Sequence, residues 1–168
     1  MVQYRDKERS TEEQIELARQ LVLLCEEKNA TFLINDSPEI AEAALADGVH
    51  LGQGDMSIQD ARKILGPNKL IGVSTRTVEQ AMKAENHGAD YIAVGSVFPT
   101  DTKDDIELVG LGILNKVRRA VSLPVVAIGG ISPANGADAI DAGADALAVI
   151  SAVATDRQPA LAAREFAL

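Results

Sequence analysis

The sequence predicts an α/β fold with a parallel sheet, of the (β/α)8 barrel type. Three observations carry that expectation. Short apolar runs alternate strictly with amphipathic stretches along the whole chain, which is the pattern of parallel βα units. The runs are apolar at consecutive positions, as strands covered on both faces are. Three helix-to-strand turns also resemble one another, "ALADGVHL", "NHGADYIAV" and "DAGADALAV". One unit copied around a ring would produce that repetition, and this favours a closed barrel over an open sheet.

The elements follow in order. "VQYRDK" opens as a strand. "STEEQIELARQLVLLCEEK" offers Ser10 as N-cap and Glu13 as its capping-box partner, with Ile15, Ala18, Leu21, Val22 and Cys25 on one apolar side of a helix. "ATFLIN" is a strand, and Ser37-Pro38 starts a helix to about Asp47. "GVHL", "LIGVS", "YIAVG", "VVAIGG" and "ALAVIS" read as the remaining strands, separated by helices near 58–65, 77–87, 109–121 and 135–142. The count is seven strands and seven helices. No linker or low-complexity run divides the chain, so residues 1–168 read as one domain.

Composition narrows the function. A formal charge of −9 argues against a general binder of nucleic acid or acidic membrane, so any phosphate recognition is local. No run approaches the roughly 18 apolar residues of a membrane span, and no basic region followed by an apolar run begins the chain. A cytoplasmic protein is expected. The single cysteine, Cys25, excludes an internal disulfide and reads as core.

Ligands of parallel βα folds sit at the carboxyl ends of the strands. The residues there are Gln3, Arg5 and Lys7; Asn35 and Asp36; Gln53 and Asp55; Ser74; Thr100, Thr102 and Lys103; Gly129 and Gly130; Ile150 and Ser151. Nearly all are polar or glycine. The opposite ends carry Ala-Asp-Gly or Gly-Ala-Asp, which reads as turn chemistry.

Asp36 and Asp55 close consecutive strands, which lie roughly 5 Å apart when paired. Two carboxylates so close need a cation between them or a proton on one. Oxygen ligands without His or Cys suit Mg²⁺, with phosphate completing its shell. The other reading is helix capping, for which Ser37 and Ser57 are better placed. Gln3, Arg5 and Lys7 fall on one face of a strand, where a guanidinium and an ammonium would meet a phosphate or pyrophosphate. Lys103 can approach the same anion. A frayed, solvated terminus is the alternative. "AIGGIS" can bring backbone N–H groups to a second anion, with "VISA" adding more, or can be a tight turn. His50 reads as a core or supporting histidine, and His87, before Gly88, as a helix end.

Taken together, "VQYRDK", "IND", "GVHLGQGD", "GVS", "GADYIAVGSVFPTDTK", "VVAIGGI" and "AVIS" resemble the thiamine phosphate synthase family, a (β/α)8 barrel. The resemblance covers essentially the whole chain. It implies a transferase that joins a pyrimidine diphosphate to a thiazole phosphate with release of pyrophosphate, requires Mg²⁺, and forms a homodimer. It implies that Gln3, Arg5, Lys7, Asn35 and Lys103 hold the pyrophosphate, that Asp36 and Asp55 bind Mg²⁺, and that Ser74 contacts the diphosphate. Thr100, Thr102, Gly130, Ile150 and Ser151 would hold the thiazole phosphate. It implies that Arg5, Lys7, Ser74 and Lys103 would form the catalytic set, acting by charge stabilisation. The thiazole tautomerase branch tends to lose these anion and metal residues, which favours the synthase here. Ser37 and the "GLG" at 110–112 depart from the family pattern outside those contacts.

In the family a first strand and helix precede the Gln-x-Arg-x-Lys run. The expectation is therefore a barrel truncated to about seven units, through a fragment or displaced start more than a shortened paralogue. A truncated, non-catalytic phosphate-binding barrel is the competing reading. An aldolase- or isomerase-type barrel would need a lysine or carboxylate base within the strands, and none is evident.

Overall fold

The serines read as helix caps do start the helices. The computed structural model describes residues 1–100 and 107–166. In it Ser10 accepts the Glu13 N–H at 3.3 Å and gives its own N–H to Glu13 Oε2 at 2.9 Å, the reciprocal capping box, ahead of α1 (Thr11–Glu27). Ser37 accepts from the Ile40 N–H at 3.2 Å to begin α2 (Pro38–Ala44). Ser57 accepts from the Asp60 N–H at 3.1 Å to begin α3 (Ile58–Leu65). The caps are therefore Ser37 and Ser57, and neither Asp36 nor Asp55 is spent on that task.

The strands are β1 (Val2–Tyr4), β2 (Phe32–Asn35), β3 (Gly48–Leu51), β4 (Leu70–Thr75), β5 (Tyr91–Val94), β6 (Val125–Ile128) and β7 (Ala146–Ala148). The later helices are α4 (Val78–Asn86), α5 (Gly110–Ala120), α6 (Gly136–Asp141), α7 (Ser151–Ala154) and α8 (Pro159–Glu165). Among the described residues seven strands alternate with helices as far as α7, and α8 follows as an eighth helix, one more than the sequence predicts. The additional break arises where the Gln158 N–H turns back to Asp156 Oδ1 at 2.7 Å and Pro159, which has no N–H, starts a new helix. No helix among the described residues is long and apolar enough to cross a membrane.

The chain divides into two units. The first holds Met1–Ser74 and Asn86–Asp90. There β1, β2, β3 and β4 lie side by side in sequence order, all parallel, with Gln3 opposite Leu33, Asn35 opposite His50 and His50 opposite Gly72. Consecutive residues Phe32, Leu33 and Ile34 are all buried, so both faces of β2 are covered. The covering helices bury Ala18, Val22 and Cys25 from α1 and Ile40, Ala41 and Ala44 from α2. Cys25 is core, as expected.

The second unit holds Thr75–Glu85 and Tyr91–Leu168. Its strands β5, β6 and β7 are parallel, with Ile92 opposite Val125 and Val126 opposite Ala146. Ile92, Val94, Val125 and Ala127 are buried, together with Leu114 and Val117 of α5.

The repeated Ala-Asp-Gly and Gly-Ala-Asp turns prove to be a strand-starting device. In the first unit Asp47 Oδ2 accepts the Phe32 N–H at 2.8 Å, and its own N–H returns to Phe32 O at 2.9 Å. Asp90 does the same for Ile71, at 2.7 and 2.8 Å. In the second unit Asp145 does so for Val125, at 2.8 and 2.8 Å. Each aspartate satisfies an N–H in the first two residues of the preceding strand. Arg62 pairs with Asp90 at 2.7 Å and Arg118 with Asp145 at 3.1 Å, each arginine reaching forward from a preceding helix. The internal repetition is therefore a repeated stability element at the strand starts, and the opposite ends are left for chemistry.

Candidate active site

In the first unit the cationic run lies past the end of β1. The sequence predicts strand alternation through Lys7, whereas the strand stops at Tyr4 and the chain bends from Lys7 to Arg9. The bend forms because Asp6 Oδ1 accepts the N–H groups of Glu8 at 2.9 Å and Arg9 at 3.1 Å. Exposure still alternates. Gln3, Arg5 and Lys7 are exposed, and Tyr4 and Asp6 between them are half-buried.

Asp36 follows β2 directly, in a conformation few side chains adopt. Its φ is +69°, and the Ser37 N–H closes onto Asn35 O at 2.9 Å, a three-residue turn of the rarer, strained kind. The Asp36 N–H is held by His50 O at 2.8 Å. Asp55 arrives by a different route. The sequence reads it as closing its strand, but β3 ends at Leu51, and a turn in which the Gly52 N–H donates to Asp55 Oδ2 at 2.6 Å returns the carboxylate. The two carboxyl groups come close enough to act on each other. Burial and the neighbouring Asp55 carboxyl push the Asp36 carboxyl above its ordinary range, and the Lys7 and Arg5 charges oppose the rise. Two hard oxygen donors crowded together are chemically suited to Mg²⁺, which takes one or two carboxylates and draws its other ligands from phosphate and water. Among the described residues no group of three or more His, Cys, Asp or Glu gathers.

Ser74 sits near the end of β4 and is held twice. His50 Nε2 lies 2.8 Å from Ser74 Oγ, and Gln53 Nε2 donates to Ser74 O at 2.7 Å. His50 is 7% exposed, so the supporting histidine of the sequence reading is the partner of a proposed ligand hydroxyl. Gln53 appears in the sequence only as one more polar residue past a strand. Its contact runs from the turn after β3 to the backbone of β4 and has no sequence signal. Asn35, half-buried, ends β2.

In the second unit Gly129 and Gly130 have φ of +98° and +63°. A Cβ on Gly129 would lie 2.1 Å from Ser96 Oγ, and one on Gly130 2.3 Å from Pro99 O. Sterics alone thus require both glycines. Gly129 O accepts the Phe98 N–H at 3.1 Å, so the Gly130 N–H, on the far side of the same trans peptide, points the other way. Asn135, which the sequence reading passes over, fastens this loop: Oδ1 accepts the Ser132 N–H at 2.8 Å and Nδ2 donates to Gly130 O at 3.0 Å. Thr100 is half-buried. Ile150 and Ser151, read from sequence as strand, follow the end of β7 at Ala148 and instead begin α7. Thr102 and Lys103 lie outside the described residues.

The chain as a whole matches a known family. The family model for thiamine monophosphate synthase matches residues 1–153. The thiamine-phosphate synthase of Methanospirillum hungatei is 46% identical over 168 residues, spanning 99% of this chain and 82% of that protein. The thiamine biosynthesis bifunctional protein ThiED of Geobacter sulfurreducens is 48% identical over 168 residues, and the chain spans 34% of its length. Among solved structures, thiamine phosphate pyrophosphorylase from Pyrococcus furiosus superposes with a TM-score of 0.92 at 42% identity, covering 98% of this chain and 79% of that one. A 3-hexulose-6-phosphate synthase shares the fold alone, with a TM-score of 0.67 at 18% identity, covering 98% and 96% of the two chains. With the synthase model spanning nearly all of it and synthases almost half identical along its length, the chain belongs to the thiamine monophosphate synthase family, transferases of thiamine biosynthesis.

Proposed function

We propose that residues 1–168 act as one thiamine phosphate synthase domain, comprising seven of the eight units of a (β/α)8 barrel. It joins 4-amino-2-methyl-5-hydroxymethylpyrimidine diphosphate to hydroxyethylthiazole phosphate and releases pyrophosphate. The observation that carries this reading is the approach of Asp36 and Asp55, from the ends of neighbouring strands, with the Arg5 and Lys7 charges acting on the pair. Carboxylates and cations so arranged suit a polyanion delivered with a hard metal ion.

Gln3, Arg5, Lys7, Asn35 and Lys103 bind the diphosphate, and Ser74 donates to it with its hydroxyl held by His50. Asp36 and Asp55 would hold Mg²⁺, which supplies charge neutralisation to pyrophosphate oxygens. Thr100, Thr102, the Gly130 N–H and the Ile150–Ser151 segment bind the thiazole phosphate.

The pyrimidine carbon–oxygen bond ionises, the electron pair leaving with pyrophosphate and a pyrimidinylmethyl cation remaining. Arg5, Lys7 and Lys103 stabilise the charge that develops on the leaving group. The thiazole nitrogen, held by its own phosphate, captures the cation. No covalent nucleophile takes part, in keeping with a sequence that offers no Ser-His-Asp or Cys-His set. Small phosphorylated substrates fit a cytoplasmic enzyme, and the family resemblance supports a homodimer.

Lys103→Ala tests the charge assignment. Turnover should fall while the KM for thiazole phosphate holds. An effect confined to thiazole phosphate affinity contradicts the role.

A further inference from the structure

Arg5 and Lys7 have an acid between them. An aspartate there would ordinarily draw a neighbouring cation into an ion pair, and that cation would then be lost to an incoming anion. Here both oxygens of Asp6 are occupied elsewhere. Oδ1 takes the N–H groups of Glu8 and Arg9, at 2.9 and 3.1 Å, and Oδ2 takes the Tyr4 hydroxyl at 3.1 Å together with the Arg9 guanidinium. The Asp6 side chain is 8% exposed, and that of Arg9 is 53% exposed. The Gln14 side chain further fixes the segment by donating to Arg9 O at 2.9 Å. Neither Arg5 nor Lys7 has a hydrogen-bond or ion-pair partner among the described residues, yet both act electrostatically on Asp36.

We propose that Asp6 is a positioning residue that, with Tyr4 and Arg9, turns the chain after β1 and so presents Arg5 and Lys7 unpaired to the pyrophosphate. Arg9 supplies the countercharge that keeps Asp6 from competing with that anion. The proposal rests on the reading above that Arg5 and Lys7 bind pyrophosphate. It adds a residue that touches no substrate. The backbone N–H groups and the Arg9 guanidinium also hold the Asp6 carboxyl well below its ordinary range, so it stays ionised throughout the working pH range.

The test is calorimetric titration of inorganic pyrophosphate, at fixed Mg²⁺, into the full chain and its Arg5→Ala, Asp6→Ala and Asp6→Asn variants, with both substrate KM values measured. Arg5→Ala should weaken pyrophosphate strongly. Asp6→Ala should weaken it about tenfold, with the KM for the pyrimidine diphosphate rising in parallel and that for thiazole phosphate within about twofold of wild type. Asp6→Asn keeps an oxygen for the two backbone donors and should recover most of the loss. If Arg5→Ala binds pyrophosphate as wild type does, the reading of the cations is wrong. If Arg5→Ala weakens binding and Asp6→Ala does not, the positioning role is wrong. Should Asp6→Ala not fold, Arg9→Gln takes its place and should weaken pyrophosphate by freeing Asp6 to compete; wild-type affinity there overturns the proposal.

Discussion

The carboxyl groups of Asp36 and Asp55 come together although they leave different strands by different turns. The first turn is costly by itself, through the positive φ of Asp36, and the second folds the Asp55 carboxylate back onto the Gly52 N–H. Chain geometry that brings like charges together works against stability unless a cation is to be held. Asp36→Asn and Asp55→Asn should each cut turnover at least ~10²-fold, the scale of losing an electrostatic contributor. Steady-state rates across a Mg²⁺ titration test this, and unchanged turnover in both variants removes the metal assignment.

Gly130 should be intolerant of a side chain, since its Cβ would sit 2.3 Å from Pro99 O at a φ of +63°. Gly130→Ala should destabilise the chain by about 1–3 kcal/mol and raise the KM for thiazole phosphate, with pyrophosphate affinity unaltered. Equal losses at both ligands would contradict the assignment of this loop to one phosphate.

Asp90 joins the Ile71 N–H, at 2.7 Å, to the Arg62 guanidinium, also at 2.7 Å. Asp90→Ala leaves a strand donor and a partly buried cation without their acceptor, a loss of about 2 kcal/mol. The melting temperature should drop by roughly 4–8 °C, and kcat at a permissive temperature should hold because the residue lies at a strand start. A fall in kcat with no change in melting would contradict a purely structural role.

Asp6 sets a pH dependence of stability. Its folded-state pKa lies below its unfolded value, so the folded chain binds fewer protons between the two. That contribution is full above the ordinary aspartate range near ~4 and is lost as pH falls below it. Urea midpoints should therefore favour wild type over Asp6→Asn at pH 7, with the gap closing in acid. A gap independent of pH would place the effect elsewhere.

The parts of this fold legible in the sequence are those governed by local chemistry. Ser10, Ser37 and Ser57 cap because hydroxyls three residues from an N–H do so in any context, and Phe32–Ile34 is buried on both faces because its residues are uniformly apolar. The first strand stops short of Lys7 because Asp6 bends the chain, and the last stops short of Ile150 because a helix begins there. The contact from Gln53 that holds Ser74 depends on where a turn meets a strand 21 residues on, and that from Asn135 to Gly130 on the fold of one loop, neither of which periodicity encodes. The repeated aspartates are visible in the sequence, but their bonds back to N–H groups at the start of the preceding strand are not.

The most direct test is formation of thiamine phosphate and pyrophosphate by the purified chain, given both substrates, with and without Mg²⁺. The account predicts both products in equal amounts and only with Mg²⁺. A folded chain that yields neither, with both substrates and Mg²⁺ present, would contradict it.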